Sequence, residues 1–244
     1  MNLNQLKEYD SLAQKHWWLV SKYNVLVSLV QKYVDFGDSQ KILDIGSAGG
    51  AFLDRLKPLT PDRYALDINP DILNYLKEKD PTIITQEGEA NNIPFSDRFF
   101  DVVFFIDVLE HLDDDIGALE EINRILKKDG CLEISVPAFN CLFGTHDTLY
   151  GHKRRYTKKE LKNKLEESGF VVEKLSYIQP LFFAPLWIKR KIFPTDSENG
   201  DFSETTPWLN SILTKMLSME KDILNYMNFP VGATLIGVCR KRRI

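Results

Sequence analysis

Residues 43–50 read LDIGSAGG: an apolar run that ends in a carboxylate, then a glycine-bearing turn. AFLDRLK follows, with Phe52, Leu53 and Leu56 on one helical face. This strand–turn–helix order constrains the fold more than any other feature of the chain. Glycine lets a backbone approach a ligand closely and take up positive φ. In an open α/β sheet such a turn faces the crevice at the carboxyl ends of the strands. An ordinary tight turn gives the same local pattern, so the flanking segments must decide what it means.

Those segments alternate. RYALDI (63–68) is the next strand, and Asn69 caps a helix that starts at Pro70 and turns Ile72, Leu73 and Leu76 inward. TIITQ (82–86) is a third strand. DVVFFI (101–106) is a continuous apolar run, as expected of a central parallel strand covered on both faces. Ile116, Leu119, Ile122 and Leu126 predict a helix over 116–128, stopped by Gly130. CLEISV (131–136) is a strand. Thr157 and Glu160 form a capping box for a helix bearing Leu161 and Leu165, closed by Gly169. FVVEKLSY and ATLIGVC are two late strands, the second antiparallel. The alternation predicts an α/β fold with a doubly wound, mostly parallel seven-stranded sheet. One domain is expected over 1–244: an aromatic helical lid at 1–38, a sheet core at 39–177 and 229–244, and a helical insertion at 178–228. Residues 194–207, acidic and rich in breakers, read as a mobile loop.

Composition narrows the class. Hydrophobic residues are 43% and charged residues 27%, which are globular proportions. Lys plus Arg is 31 against 35 for Asp plus Glu, a net charge of −4. That balance argues against wrapping a nucleic-acid backbone, so no nucleic-acid partner is expected. Cys131, Cys141 and Cys239 are scattered and odd in number, with no CxxC pair. They signal neither a disulfide framework nor a metal site, and read as reduced, buried thiols. The start, MNLNQLKEYD, has no apolar signal core. The longest apolar stretch, 175–188, is interrupted by Gln179, Pro180 and Pro185 and is too short to span a bilayer. A cytoplasmic protein is expected.

The glycine turn fails the dinucleotide fingerprint, which would need glycine where Ala48 and Ala51 stand. Asp44, two residues before the turn, would also oppose a pyrophosphate at the helix N-terminus. A carboxylate there suits a ligand with a positive amino group and no phosphate, such as S-adenosylmethionine (SAM). Asp67, at the end of the next strand, can accept hydrogen bonds from both ribose hydroxyls. A helix-start aspartate is its other reading, although Asn69 already fills that role. Ile68 could pack on an adenine face. Glu89 and Ala90 could offer a carboxylate and a backbone amide to an adenine edge.

With ILDIGSAGG, ALDINPDIL, GEANNIPFSDRFFDVVFFIDVLEHL and EINRILKKDGCLEISVP in this order, the chain resembles the class I SAM-dependent methyltransferases over 41–137. The resemblance is to the small-molecule branch with ubiquinone-biosynthesis-like sequences, and implies a Rossmann-like methyltransferase fold. Ala48, with Gly49 beside it, departs from the family's D-x-G-x-G-x-G, and Glu89 replaces the more usual aspartate. The resemblance implies that Asp44 and Gly46 hold the methionine part of SAM, with Ser47, Ala48 and Gly50 of the same turn among the cofactor residues. Asp67 and Ile68 would take the ribose and adenine face, Glu89 and Ala90 would flank the adenine, and Asp107 and Val108 would lie beneath the sulfonium. S-adenosylhomocysteine is then the product. The aromatic segment 15–26, with Trp17 and Trp18, could close over the cofactor and exclude water, or simply pack on the sheet edge.

Methyl transfer from a sulfonium needs chiefly an oriented acceptor, and a hydroxyl acceptor adds a general base. The candidates are His111, after the central strand, and His146 and His152 in the segment 143–161. Each could equally be a packing or cap residue. The acceptor wall is expected from 139–156, which carries Asn140, His146, Asp147, Tyr150, His152 and Tyr156, roofed by the N-terminal helix and 178–193. Lys153, Arg154, Arg155, Lys158 and Lys159 could attract an anionic acceptor or form a solvated face. PLFFAPLWIKRK, from Pro180 to Lys191, resembles an interfacial membrane anchor, with a pocket wall or dimer contact as alternatives. The expected function is methyl transfer to an O, N or C atom of a small molecule or lipid-linked precursor. A non-catalytic SAM-binding protein is the alternative, and a nucleotide-binding oxidoreductase is disfavoured by Ala48, Ala51 and Asp44.

Overall fold

The computed structural model describes residues 3–37, 39–192 and 205–242. Its strands are β1 (Ile42–Ile45), β2 (Arg63–Asp67), β3 (Ile84–Glu87), β4 (Phe100–Ile106), β5 (Leu126–Pro137), β6 (Phe170–Ile178) and β7 (Thr234–Lys241). They form one seven-stranded sheet in the order β3-β2-β1-β4-β5-β7-β6. β1 pairs in parallel with β2 and β4, β2 with β3, and β4 with β5. β7 is antiparallel to both β5 and β6, because it returns between them as the chain's last strand. The strand order reverses between β1 and β4, so the ligand crevice belongs above the carboxyl ends of those two strands.

Sequence pattern explains the layering. Val102, Val103, Phe104 and Phe105 are all fully buried, as a central strand with both faces covered requires. Val103 and Phe105 pack on one side with Leu119 and Ile122 of α5 (Asp115–Ile125) and Leu161 and Leu165 of α7 (Lys158–Glu167). Val102 and Phe104 pack on the other with α2 (Trp17–Val30) and α3 (Ala51–Leu56), through Leu26, Phe52 and Leu53. Burying each such side chain contributes about 1.5–3 kcal/mol. α4 (Pro70–Lys79) starts where Asn69 accepts from the Asp71 amide at 2.9 Å. Thr157 and Glu160 cap α7 reciprocally, and Gly169 at φ 83° lets the chain leave it.

One boundary differs from the sequence reading. The helix expected over 116–128 ends at Ile125, and Gly130 does not stop it. Leu126 turns to ψ 136° and pairs with Phe100, while the Arg124 and Ile125 carbonyls accept from the Arg98 and Phe99 amides. An apolar Leu126 suits a helix face and a strand equally, and the neighbouring strand decides.

Between β6 and β7 lie α8 (Phe183–Ile192), α9 (Pro207–Ser218) and α10 (Glu220–Ile223). Asn210 of α9 accepts from the Trp17 amide and donates to the Lys15 carbonyl, both at 2.9 Å. These bonds tie α9 to the junction of α1 (Leu3–Lys15) with α2. Most of the loop expected at 194–207 lies outside the described residues. Among the described residues no helix is long and apolar enough to cross a membrane. Cys131 and Cys239 are buried free thiols, but Cys141 is exposed, contrary to expectation, because it sits in the turn after β5.

Candidate active site

The glycine turn is built by backbone bonds. The Gly46 amide donates to the Leu66 carbonyl at 2.8 Å, and Ser47 Oγ donates to the Asp44 carbonyl at 2.8 Å. Gly46 has φ 73°, and a Cβ there would stand 2.5 Å from Val108 Cγ2. Both the conformation and the space require glycine. Ala48 takes up φ 43°, a left-handed backbone that costs an L-residue roughly 1–2 kcal/mol. The turn therefore keeps its shape without the middle glycine.

Above this turn lies a cavity of about 620 Å³, large enough for a drug-sized ligand. Asp44, Gly46, Ser47, Ala48, Asp67, Ile68, Asp107 and Val108 line it at the carboxyl ends of β1, β2 and β4. His111, His146 and His152 line the other half, with Glu110, Tyr150 and Arg155. Tyr9, Trp17, Trp18, Lys22 and Tyr23 come from the N-terminal helices, and Phe182, Pro185 and Leu186 from the segment after β6. Phe182 joins the two groups by packing on Trp17, with ring centroids 4.8 Å apart. Trp17 and Trp18 thus belong to the cavity roof.

The half of the cavity above the glycine turn is lined by carboxyl groups. Burial, then the neighbouring charge of Asp67, pushes the Asp44 carboxyl up to about 8, while a Ser47 hydrogen bond pulls the other way. Burial also raises Asp67, against backbone amides of Asn69, Ala48 and Ile68. The Asn69 amide donates to Asp67 Oδ1 at 2.9 Å, so this carboxylate shapes the start of α4 while facing the cavity. Asp107 has φ 54° and is ion-paired with the buried Lys22 of α2. Burial raises its carboxyl, but Lys22 and the Ser135 hydroxyl, which donates at 2.9 Å, outweigh that and hold it below the usual range.

Three expected cofactor residues lie elsewhere. Glu89 is exposed and Ala90 is buried in the core; both follow the end of β3 in a turn where Glu89 bridges Asn92. Gly50 caps α3 beneath the turn. None of the three lines the cavity.

The histidine half is a connected polar wall. His152 Nδ1 lies 2.8 Å from Asp147 Oδ1. Asp147 is fully buried and also accepts from Arg155 Nε at 2.8 Å, from Arg190 at 3.2 Å and from the Gly144 amide at 2.9 Å. Burial raises this carboxyl, but His152 and the two arginines hold it well below the ordinary carboxylate range. The His111 and His152 rings stand 4.8 Å apart, and burial followed by the charge of His152 lowers His111. Glu110, between β4 and this wall, is fully buried, and burial followed by Asp107 pushes it well above its ordinary value.

Three members of the expected wall do not line the cavity: Asp147 stands behind His152, and Tyr156 and Asn140 lie elsewhere. Tyr156 is in the core, its hydroxyl donating to Asp115 at 3.0 Å, and Asn140 accepts from the Arg155 amide at 3.0 Å outside the cavity lining. The cationic stretch is largely paired within the fold: Lys153 with Asp113, Arg154 with Asp115 and Arg155 with Asp147. Sequence reasoning missed Glu110 and Lys22. Glu110 adjoins His111 in LEHL, but nothing in the spacing marks Lys22.

Residues 43–134 match the family model described as a methyltransferase domain. The chain is 28% identical over 128 residues to a demethylmenaquinone methyltransferase of Chlorobaculum parvum, covering 52% of each. It spans about half the length of that relative. It is 28% identical over 202 residues to a demethylmenaquinone methyltransferase of Staphylococcus aureus, covering 69% of this chain and 82% of the relative. In fold it is similar to a SAM-dependent methyltransferase of Thermotoga maritima, with TM-score 0.60 and 20% identity over 97% of this chain and 96% of that one. A Mesorhizobium loti S-adenosylmethionine-dependent methyltransferase gives TM-score 0.59 and 14% identity, covering 87% and 95%. Residues 43–134 thus form a methyltransferase domain, and the chain is similar in sequence and in fold to SAM-dependent methyltransferases.

Proposed function

We propose that the chain transfers a methyl group from SAM to a small molecule with an apolar body. The observation that carries this is the convergence of Asp44, Asp67 and Asp107, at the ends of β1, β2 and β4, on a cavity whose other half is the His111–His146–His152 wall. An acidic half suits a ligand that carries an ammonium and a sulfonium and no phosphate. Asp44 and the Gly46 turn take the methionine end, Asp67 the ribose, and Ile68, 65% exposed, the adenine face. Asp107 and Val108 lie beneath the sulfonium. Gly50, Glu89 and Ala90 are left out because they are off the wall.

The S–CH₃ bond breaks as the acceptor bond forms, and the departing thioether needs no proton. The protein's work is orientation of the acceptor in line with that bond. Trp17, Trp18 and Phe182 cover the cavity and exclude water. The apolar surfaces of Pro185 and Leu186 favour an acceptor with a hydrophobic part, as in the quinone precursors for which the relatives are named. α8 lines the cavity with these two residues and turns Trp187, Ile188 and Ile192 outward, which suits a lipid-linked acceptor reached from a membrane surface.

Calorimetry with SAM and NAD, followed by incubation of labelled SAM with naphthoquinol and phenol acceptors, tests the reading. SAM binding with label transfer is expected. NAD binding without SAM binding would overturn it, and SAM binding without turnover on cellular extracts would favour a non-catalytic SAM-binding protein.

A further inference from the structure

We propose that Lys79 is a positioning residue that clamps α1 onto the glycine turn and sets how long the cofactor stays in the cavity. The proposal rests on the reading that this turn holds the cofactor. An ammonium has three donors. Lys79 Nζ, reaching in from α4, lies 2.7 Å from Asp10 Oδ2 of α1, 3.0 Å from Asp54 Oδ2 of α3 and 2.8 Å from the Gly49 carbonyl oxygen of the turn. One cation thus joins two helices and the turn.

Gly49 shows how closely α1 seats on that turn. A Cβ there would stand 2.4 Å from Asp10 Cβ and 2.8 Å from Asp10 Cγ. Carbon atoms in contact settle about 3.5–4.0 Å apart, so glycine is required here for space. The glycine beside Ala48 is thereby accounted for: it admits α1. Asp10 is buried, and it accepts from the Tyr75 hydroxyl at 2.8 Å as well as from Lys79. Burial works to lower the Lys79 ammonium, but its hydrogen bonds to Asp10 and Asp54 outweigh that and hold it above the ordinary lysine value. The clamp therefore keeps its charge at neutral pH.

The rest of α1 is thinly seated. Among its described side chains only Leu6, Asp10 and Ala13 are buried, while Lys7, Glu8, Ser11 and Lys15 face solvent. A helix with so little apolar contact opens at a lower cost than the sheet core. Tyr9, Asp10 and Ala13 line the cavity together with Gly46, Ser47 and Gly49 of the turn. Lifting α1 therefore uncovers the turn, and breaking the Lys79 contacts is the step that frees it. Lys79 does not line the cavity itself, so it acts on a ligand only through Asp10 and the Gly49 carbonyl.

The test compares the native full chain with Lys79→Met, Lys79→Arg and Asp10→Asn, each fold checked by circular dichroism. Hydrogen exchange without ligand reads the amides of α1 and β4. In Lys79→Met and Asp10→Asn, α1 should exchange faster by about tenfold or more, the factor for losing a hydrogen bond to a charged group, with β4 unchanged. Labelled S-adenosylhomocysteine, chased with unlabelled, should leave these variants faster by a similar factor. Lys79→Arg keeps the charge and should stay near the native rate. Raising salt from about 0.05 M to about 0.5 M should speed release from the native chain and not from Lys79→Met, because Lys79 stands at the surface. Gly49→Ala leaves both charges in place but displaces Asp10, and it serves if Asp10→Asn unfolds. Exchange of α1 unmoved in folded Lys79→Met would overturn the clamp. Faster exchange of α1 with unchanged release would overturn its hold on the cofactor. Failure of the native chain to bind S-adenosylhomocysteine would instead overturn the reading of the cavity, and the exchange measurement, which needs no ligand, still decides the clamp.

Discussion

Replacing Asp44 by Asn should abolish a proton release that accompanies cofactor binding. Asp44 ends the β1 side of the glycine turn, and burial, then Asp67, raises its carboxyl to about 8. At pH 7 such a group is about nine-tenths protonated. An α-amino group, with an ordinary pKa near 8, is about nine-tenths ammonium at the same pH. An ammonium placed against Asp44 favours its carboxylate. Binding then expels about 0.9 proton from Asp44 and takes up about 0.1 on the amine, a net release of about 0.8. Release means that affinity climbs with pH between 6 and 8, by up to about tenfold per unit. It flattens and then falls above 8, where the free amine loses its proton. S-adenosylhomocysteine keeps the amino group, so it is the practical ligand. Calorimetry at pH 7 in two buffers of different ionisation enthalpy counts the protons. Asp44→Asn should leave an uptake of about 0.1 and weaken binding by about 1.5–3 kcal/mol, the worth of a hydrogen bond to a charged group. A native heat that does not depend on the buffer, or a release that survives in Asp44→Asn, would show that the amino group is held elsewhere.

Asp67→Ala should weaken S-adenosylhomocysteine by roughly 1–3 kcal/mol in calorimetry; unchanged affinity with an intact fold would place the ribose away from β2. Ala48→Gly should remove about 1–2 kcal/mol of left-handed strain against about 0.4–1 kcal/mol of added chain entropy in the unfolded state, a net gain of about 0.5–1 kcal/mol in urea unfolding. A loss of that size would mean that the alanine methyl packs well enough to outweigh its backbone. α8 exposes Trp187, Ile188 and Ile192 beside Lys191, so the chain should float with anionic vesicles at low salt and release as salt rises. Failure to float at low salt would leave this face to a protein contact.

The sheet was legible because its signals are local. The run at Phe104 and Phe105 is apolar on both faces, and Asn69, Thr157 with Glu160, and Gly169 mark helix ends by their own hydrogen bonds or φ. Where two states satisfy the same pattern, the sequence cannot choose. Leu126 fits the inner face of α5 and the edge of a strand alike, and its pairing with Phe100 settles the matter. The three cavity carboxylates were legible for the same reason as the strands. Asp44, Asp67 and Asp107 lie within or just after strands whose register is fixed by the core, so placing the strand places the side chain. Glu89 and Ala90 follow a short edge strand, β3, and no core pairing dictates where the turn after it points.

The histidine side of the cavity and its roof resist sequence reading for a physical reason. Its partners are brought together by docking of whole elements: Lys22 meets Asp107 across 85 positions, and Phe182 meets Trp17 only once the segment after β6 lies against α2. Neither contact leaves a periodicity or a spacing. Asn210 ties α9 to Lys15 and Trp17, and Arg190 of α8 reaches Asp147, which in turn holds His152. The roof and the histidine wall are therefore mechanically joined. Any movement that opens the cavity by shifting α8 must break the Arg190–Asp147 contact and loosen the group that orients His152. The position of α8 and the orientation of His152 are thus coupled through Asp147, a residue that lines neither the cavity nor the glycine turn.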